Sequence, residues 1–215
     1  MSTRSTLILA LLMIVAATVF SLAVYNRLPA MVASHWDVND QVNGTMSRFW
    51  GAFLMPVIAL AMLGLFLLIP SIDPLKANIA KFRGTFNAFI ALIIAFLLYV
   101  HVLTVLWNLG VQSFRMSTAL LPGIGLIFIF AGVLMRKAKR NFFIGIRTPW
   151  TLSSDHVWDQ THRLGAVLFI ISGVLALLGV FLPGQASWWL LAPVLISSLF
   201  LMVYSYVLWR EETKT

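Results

Sequence analysis

Charged positions are so sparse along this chain that the windows between them define its elements. Residues 5–26, 49–72, 84–114, 116–135 and 164–209 contain no Asp, Glu, Lys or Arg. A helix rises about 1.5 Å per residue, so roughly 20 residues cross the hydrocarbon core of a bilayer. The first four windows each fit one crossing. The last fits two, divided by Leu182-Pro183-Gly184-Gln185-Ala186-Ser187, in which Pro-Gly marks a turn between paired helices. The pattern therefore predicts an all-α integral membrane protein, a bundle of six transmembrane helices near 6–26, 49–69, 85–108, 117–135, 164–182 and 188–209. No internal repeat or low-complexity tract is evident. Small residues such as Gly165 and Gly173, or Ser172 and Ala176, suit close helix contacts.

Composition narrows the class further. Hydrophobic residues make up 60% of the 215, against fifteen basic and seven acidic side chains. A soluble domain cannot cover that much apolar surface with so few charges. Cysteine is absent, which removes disulfides, thiolate metal sites and cysteine nucleophiles from consideration. Arg4 and Ser21-Leu22-Ala23 resemble a basic leader and a cleavage site, but the apolar stretch between them is too long for a typical signal peptide. The first span is expected to be retained.

Charge fixes the expected orientation. The N-terminal tail, second loop, fourth loop and C-terminal tail hold twelve of the fifteen Lys and Arg residues, whereas the other three loops together hold Arg27, Arg48 and Arg115. Positive charge is retained on the cytoplasmic side, so both termini are expected in the cytoplasm of a bacterial inner membrane. The net charge of +8 then reflects lipid contact and loop placement, not direct nucleic-acid binding. Loop 27–48 becomes the sizeable outer segment and loop 136–163 the large inner one.

Ionisable side chains within the spans are the first place to seek chemistry. His101, midway along the third span, is the one found there, with Tyr99 and Thr104 nearby. Coupled ion transport generally keeps several buried carboxylates or cations. Their scarcity disfavours a pump. His101 has two readings, a functional group or a neutral imidazole bonded to a neighbouring helix.

In the outer loop, Pro29 stops the first helix and Asn43-Gly44 signals a turn. His35, Trp36 and Asp37 combine an indole surface with directional hydrogen bonding, as a ligand patch would. An interfacial tryptophan among solvated polar residues fits equally well. The inner loop begins Arg136-Lys137-Ala138-Lys139-Arg140, a cluster that attracts anionic headgroups. After Pro149, Ser153 or Ser154 is expected to cap a helix running into the fifth span. On that helix Asp159 and Arg163 are spaced for an ion pair, and Trp158 lies beside His162. His156 and His162 are badly spaced for one metal ion. Asp155, Asp159 and His162 lack any recognised catalytic spacing. Arg147, Trp150 and Trp158 suit an interfacial anchor or a protein-docking surface. No catalytic residue, metal site or cofactor is expected.

The inner run Asn141-Phe142-Phe143-Ile144-Gly145-Ile146-Arg147-Thr148-Pro149-Trp150-Thr151-Leu152-Ser153, with Val157-Trp158 and Thr161-His162-Arg163 after it, resembles the signature of the SdpI family of bacterial membrane proteins. Leu28-Pro29, His35-Trp36, Gly44 and the run from Asp73-Pro74 to Asn78 resemble the DUF1648 region that often precedes it. Asp40 replaces an expected Gly in the outer motif, and Arg140 an expected Pro before Asn141.

The resemblance implies two regions in one structural unit: a DUF1648-like part over 1–84 with the first two spans, and an SdpI-like part over 85–215 with the other four. It implies a non-enzymatic immunity and signal-transduction protein that gives resistance to a secreted peptide toxin and sequesters a cytoplasmic ArsR-type repressor. The extracytoplasmic peptide would meet His35, Trp36, Asp37 and Gly44. The repressor would dock on Asn141, Gly145, Arg147, Thr148, Trp150, Thr151, Trp158, His162 and Arg163. The competing reading is a small transporter or channel subunit using His101, Asn87 and Asn108, and a third is a hydrolase built on Asp155, Asp159 and His162.

Overall fold

A computed structural model describes residues 1–182 and 185–214. Its helices are α1 (Thr3–Val24, continued by a 3-10 turn Tyr25–Arg27), α2 (Arg48–Ile72), α3 (Lys76–Ala80), α4 (Arg83–Asn108), α5 (Met116–Lys137), α6 (Pro149–Ser153), α7 (Asp155–Leu178, continued by Gly179–Phe181) and α8 (Ala186–Glu212). Six of them are long and apolar enough to cross a membrane, as the uncharged windows predict. Their outward faces carry exposed aliphatic side chains such as Leu12, Leu60 and Ile196, the expected surface of a helix solvated by lipid. Pro56, Pro70, Pro122 and Pro193 lie within α2, α5 and α8, where neighbouring helices can satisfy the carbonyl groups that proline leaves unpaired. The expected turn at Pro183-Gly184 lies outside the described residues.

The helices pack in two groups. α1 and α2 both lie against α4, α7 lies between α5 and α8, and contact between α4 and α5 joins the groups. Small residues bring α5 and α7 together: a Cβ on Gly173 would sit 2.5 Å from the Gly125 carbonyl oxygen, and one on Gly132 would sit 2.6 Å from that of Ala166. Backbones can approach so closely only without side chains between them. Gly173 therefore meets the packing role read from the sequence, and Gly125 and Gly132 complete it from the facing helix.

The loop between α1 and α2 differs from its sequence reading. It is an antiparallel hairpin of β1 (Met31–Trp36) and β2 (Val42–Ser47). The chain reverses at Asp37–Gln41, not at Asn43-Gly44, because the Asp37 carboxylate accepts hydrogen bonds from the Asn39 and Gln41 N–H groups and Asp40 adopts a left-handed φ of 62°. Gly44 falls inside β2 opposite His35, at an irregular register.

The bundle thus has two ends. One carries the hairpin and the α4–α5 link. The other gathers the N-terminus, α3, α6 and the segment 138–154: the Met1 ammonium donates to the Gly84 carbonyl, and Ser154 donates to Glu212 near the C-terminus.

Candidate functional site

A cavity of about 370 Å³ lies beneath the hairpin, reaching between α2, α4, α5 and the start of α8. His35, Trp36 and Asp37 line it from above, as does His101 from within the bundle. Most of the remaining lining is apolar, including Trp50, Leu54 and Leu120. Gly44 stays outside it, supporting the hairpin: a Cβ there would stand 3.0 Å from that of His35.

Two latches hold this roof. The Asn108 side chain at the end of α4 accepts from the Ala33 N–H at 2.7 Å and donates to the Ala33 carbonyl at 2.9 Å. Asp40, at the hairpin tip, accepts from the Ser117 N–H and hydroxyl, each at 2.7 Å. Ser117 belongs to the first turn of α5, whose N–H groups have no partner within the helix. Asp40 therefore caps α5 from another part of the chain, with Arg115 at 3.9 Å as its counter-charge. Asp40, Asn108 and Ser117 were missing from the expected ligand-facing set. The one signal was the departure from Gly at position 40, which the left-handed backbone there explains.

Two buried polar groups at the cavity are unusual. His101 is 1% exposed, and its Nε2 lies 2.8 Å from the Ser21 hydroxyl of α1. That is the hydroxyl's one hydrogen bond among the described residues. Either atom can donate in that bond, and the other ring nitrogen, Nδ1, has no partner. The Trp36 ring meets Trp107 edge-on at 5.4 Å, and its buried Nε1 is also unpaired. Native proteins leave few such buried groups unpaired.

At the opposite end the residues expected to dock a partner are arranged differently. Asn141, Thr151, Trp158 and His162 are buried. Asn141 closes the loop on itself, donating to the Lys139 and Ile144 carbonyls and accepting from the Phe143 and Ile144 N–H groups. Trp158 stacks on His162 with ring centroids 3.9 Å apart, and its Nε1 donates to the Ala138 carbonyl at 3.0 Å. The Ile146 N–H donates to His162 Nε2, so Nδ1 carries the ring proton and donates to the Trp158 carbonyl. Gly145 has φ 110°, and a Cβ on it would collide with the His162 ring. Thr148 and Thr151 cap α6 reciprocally, and Trp150 lies 5.1 Å from Tyr206 of α8.

This corrects the expected docking surface. Trp158, His162, Asn141 and Thr151 cannot be touched by a partner while the segment is closed; they hold it shut. Arg147, Arg163 and Gly145 remain exposed, with Thr148 and Trp150 half-buried. Asp159 is bridged to Lys139 at 3.1 Å and Asp155 to Arg140 at 2.7 Å, in place of the expected Asp159 and Arg163 pair. Both ring nitrogens of His162 are engaged in structural hydrogen bonds, so neither is free for proton transfer in this closed arrangement. Asp73 and Asn78 reach this segment from the N-terminal part: Asp73 accepts from the Phe142 N–H, and Asn78 donates to the Arg140 carbonyl.

Six spans, with a roofed cavity at one end and a hydrogen-bonded closed segment at the other, define a multi-pass membrane protein. Residues 137–205 match the SdpI/YfhL protein family, and residues 12–60 match a domain of unknown function, DUF1648. The chain is 25% identical over 178 residues to the immunity protein SdpI of Bacillus subtilis (strain 168), covering 83% of each. No solved structure matches it. The chain is thus similar to the SdpI/YfhL protein family over its C-terminal part, and its six apolar spans make it a multi-pass protein of the bacterial inner membrane.

Proposed function

We propose that this chain is a non-enzymatic immunity and signal-transduction protein, with the hairpin outside the cell and both termini in the cytoplasm. An extracytoplasmic peptide toxin engages the roofed cavity, and the cytoplasmic face of segment 138–163 then binds a small ArsR-type repressor. The asymmetric Lys and Arg distribution supports the orientation. The name of the Bacillus relative supports the immunity role.

The observation that carries the reading is the position of α5. Its N-terminus is capped by the hairpin through Asp40, and the Ala138 carbonyl just past its C-terminus accepts from Trp158 in the closed segment. A ligand that binds one arrangement of the hairpin better than another shifts the population of α5 positions. The same helix bears on the inner segment. A shift there exposes or withdraws the basic surface of Arg147 and Arg163.

The test combines survival and recruitment in toxin-sensitive cells expressing the chain. Protection and co-purification of the repressor are expected together in the native chain. Arg147→Ala retains protection and loses recruitment. Loss of both functions in a well-inserted Arg147→Ala protein, or a cytoplasmic reporter signal from residue 40, would refute the division of labour.

A further inference from the structure

We infer that a second cavity, beneath the closed segment, holds one acyl chain of an anionic phospholipid from the adjacent leaflet, with the lipid phosphate on Arg147. The inference goes beyond the functional reading above and does not depend on it, because neither a toxin nor a repressor takes part.

The cavity measures about 290 Å³ and is bounded by α2, α4, α5, α7 and residues 143–147. Phe66, Phe86, Phe89, Phe143 and Phe169 line it, and Arg147 is the one charged or polar side chain among its described lining residues. Phe86 is buried, while the other four rings are half-buried and Arg147 is exposed. A site that encloses a whole small molecule takes about 300–1,000 Å³. This cavity stands at the lower limit, so it suits part of a long molecule whose remainder lies outside. Apart from Arg147, no lining side chain can bond water, which favours an apolar occupant.

Depth and charge identify that molecule. Ala131, Leu134 and Met135 of the lining fall in the last two turns of α5, so the cavity begins within about 9 Å of the helix end at Lys137. That is the shallow part of the hydrocarbon layer, where acyl chains leave their headgroups. Arg147 Nη1 donates to the Phe142 carbonyl at 3.0 Å, the side chain's one hydrogen bond among the described residues, which leaves the other guanidinium N–H groups for a phosphate. In the basic cluster, Lys139 and Arg140 are bridged to Asp159 and Asp155, whereas Arg136 and Lys137 are exposed. Those two attract an anionic surface, but Arg147 is the cation that lines the cavity. The site also lies on the seam of the fold: Phe66, Phe86 and Phe89 come from α2 and α4, and Ala131 and Phe169 from α5 and α7. A chain between them gains apolar contact with both groups of helices.

The experiment uses the full chain in phosphatidylcholine nanodiscs doped with an equal small fraction of phosphatidylglycerol or phosphatidylcholine carrying a diazirine along one acyl chain. Photolabelling is expected at Phe66, Phe89, Phe143 and Phe169. It should be about fivefold stronger for phosphatidylglycerol, the factor that one basic residue supplies near a membrane surface. Arg147→Gln is expected to reduce that preference to about twofold or less. The double variant Arg136→Gln, Lys137→Gln retains most of it. Replacing chloride by inorganic phosphate at constant ionic strength leaves the labelling unchanged.

Ala131→Phe fills the cavity and removes labelling at these positions by both lipids; if that variant does not fold, the charge variants decide. A preference that survives Arg147→Gln overturns the proposal, as does one lost in the Arg136, Lys137 variant alone, because a diffuse basic surface is then responsible. Labelling of Ala131→Phe equal to the native chain overturns it too, since the probe then lies on the outer surface of the bundle. Displacement by inorganic phosphate would make this a site for the free anion and not for a lipid. The two readings fail separately. The assay contains no repressor, so a negative result leaves the functional reading standing. Failed recruitment in cells, with the lipid preference intact, would do the reverse.

Discussion

The two ends of this bundle use polar groups in opposite ways. In segment 138–163 the polar atoms of Asn141, Trp158 and His162 are paired, and two of those side chains stack face to face. At the hairpin end, Trp36 and His101 have buried nitrogens without partners, and the roof is held by side chains at two points. The buried Thr161 hydroxyl is an exception there, but ring and amide groups that are all paired hold one low-energy arrangement. An unsaturated network can gain hydrogen bonds when it rearranges. The difference fits the proposed division, with reception at the hairpin, rigid transmission through the inner segment and α5 fastened to both.

The strongest way to break this comparison is to empty the inner network. Trp158→Ala removes a side chain with no exposed surface, costing about 3–5 kcal/mol, and also leaves the Ala138 carbonyl without its donor. A large fall in the thermal midpoint is expected, with proteolysis beginning in 138–154. A midpoint within a few degrees of the native chain would show that this segment is loosely held. Gly145→Ala should approach the same severity with a single added methyl, since it meets both the left-handed backbone and the His162 ring. Arg147→Ala is the control, removing one exposed bond to the Phe142 carbonyl with little change in the melt.

Asn108→Ala tests the roof. It leaves the Ala33 amide unpaired near the bundle surface and is expected to cost about 1–3 kcal/mol locally. The effect should appear as faster hydrogen exchange across 31–47, with exchange in 141–162 unchanged. Equal acceleration at both ends would mean that the hairpin and inner segment open as one unit, which would erase the contrast.

Much of this architecture is legible in the sequence, and the exceptions have physical causes. The spans follow from charge-free windows because lipid requires an apolar exterior and the helix satisfies its own backbone. The Ser154 cap and the adjacency of Trp158 and His162 follow from helical spacing. Their burial does not, because it depends on the Ala138 carbonyl brought in by α5. The same holds for Asp159: spacing within α7 favours Arg163, but the fold delivers Lys139 from another segment. The hairpin is hidden for a different reason. Met31–Trp36 lacks the alternation that marks a half-buried strand, and only Val32 and Ala33 are buried within it. Nothing in the chain alone joins Asp40 to Ser117 across 77 positions.

The finest test lies at position 40, where two opposing effects meet. The left-handed φ of 62° costs an ordinary side chain about 1–2 kcal/mol relative to glycine. The carboxylate repays this by capping α5, through charge-assisted hydrogen bonds to Ser117 that together contribute about 1.5–3 kcal/mol. Asp40→Ala loses the cap and keeps the strain, whereas Asp40→Gly loses the cap and relieves it. Both variants should be less stable than the native chain, with the glycine variant about 1 kcal/mol above the alanine variant. Thermal melts of the two proteins in the same nanodiscs measure that small gap. Equal midpoints would mean that the hairpin tip relaxes once the cap is gone, making the backbone at 40 a consequence of the latch and not a separate constraint on it. A glycine variant more stable than the native chain would instead show that the latch is held against its own strain, poised for release by a ligand entering beneath it.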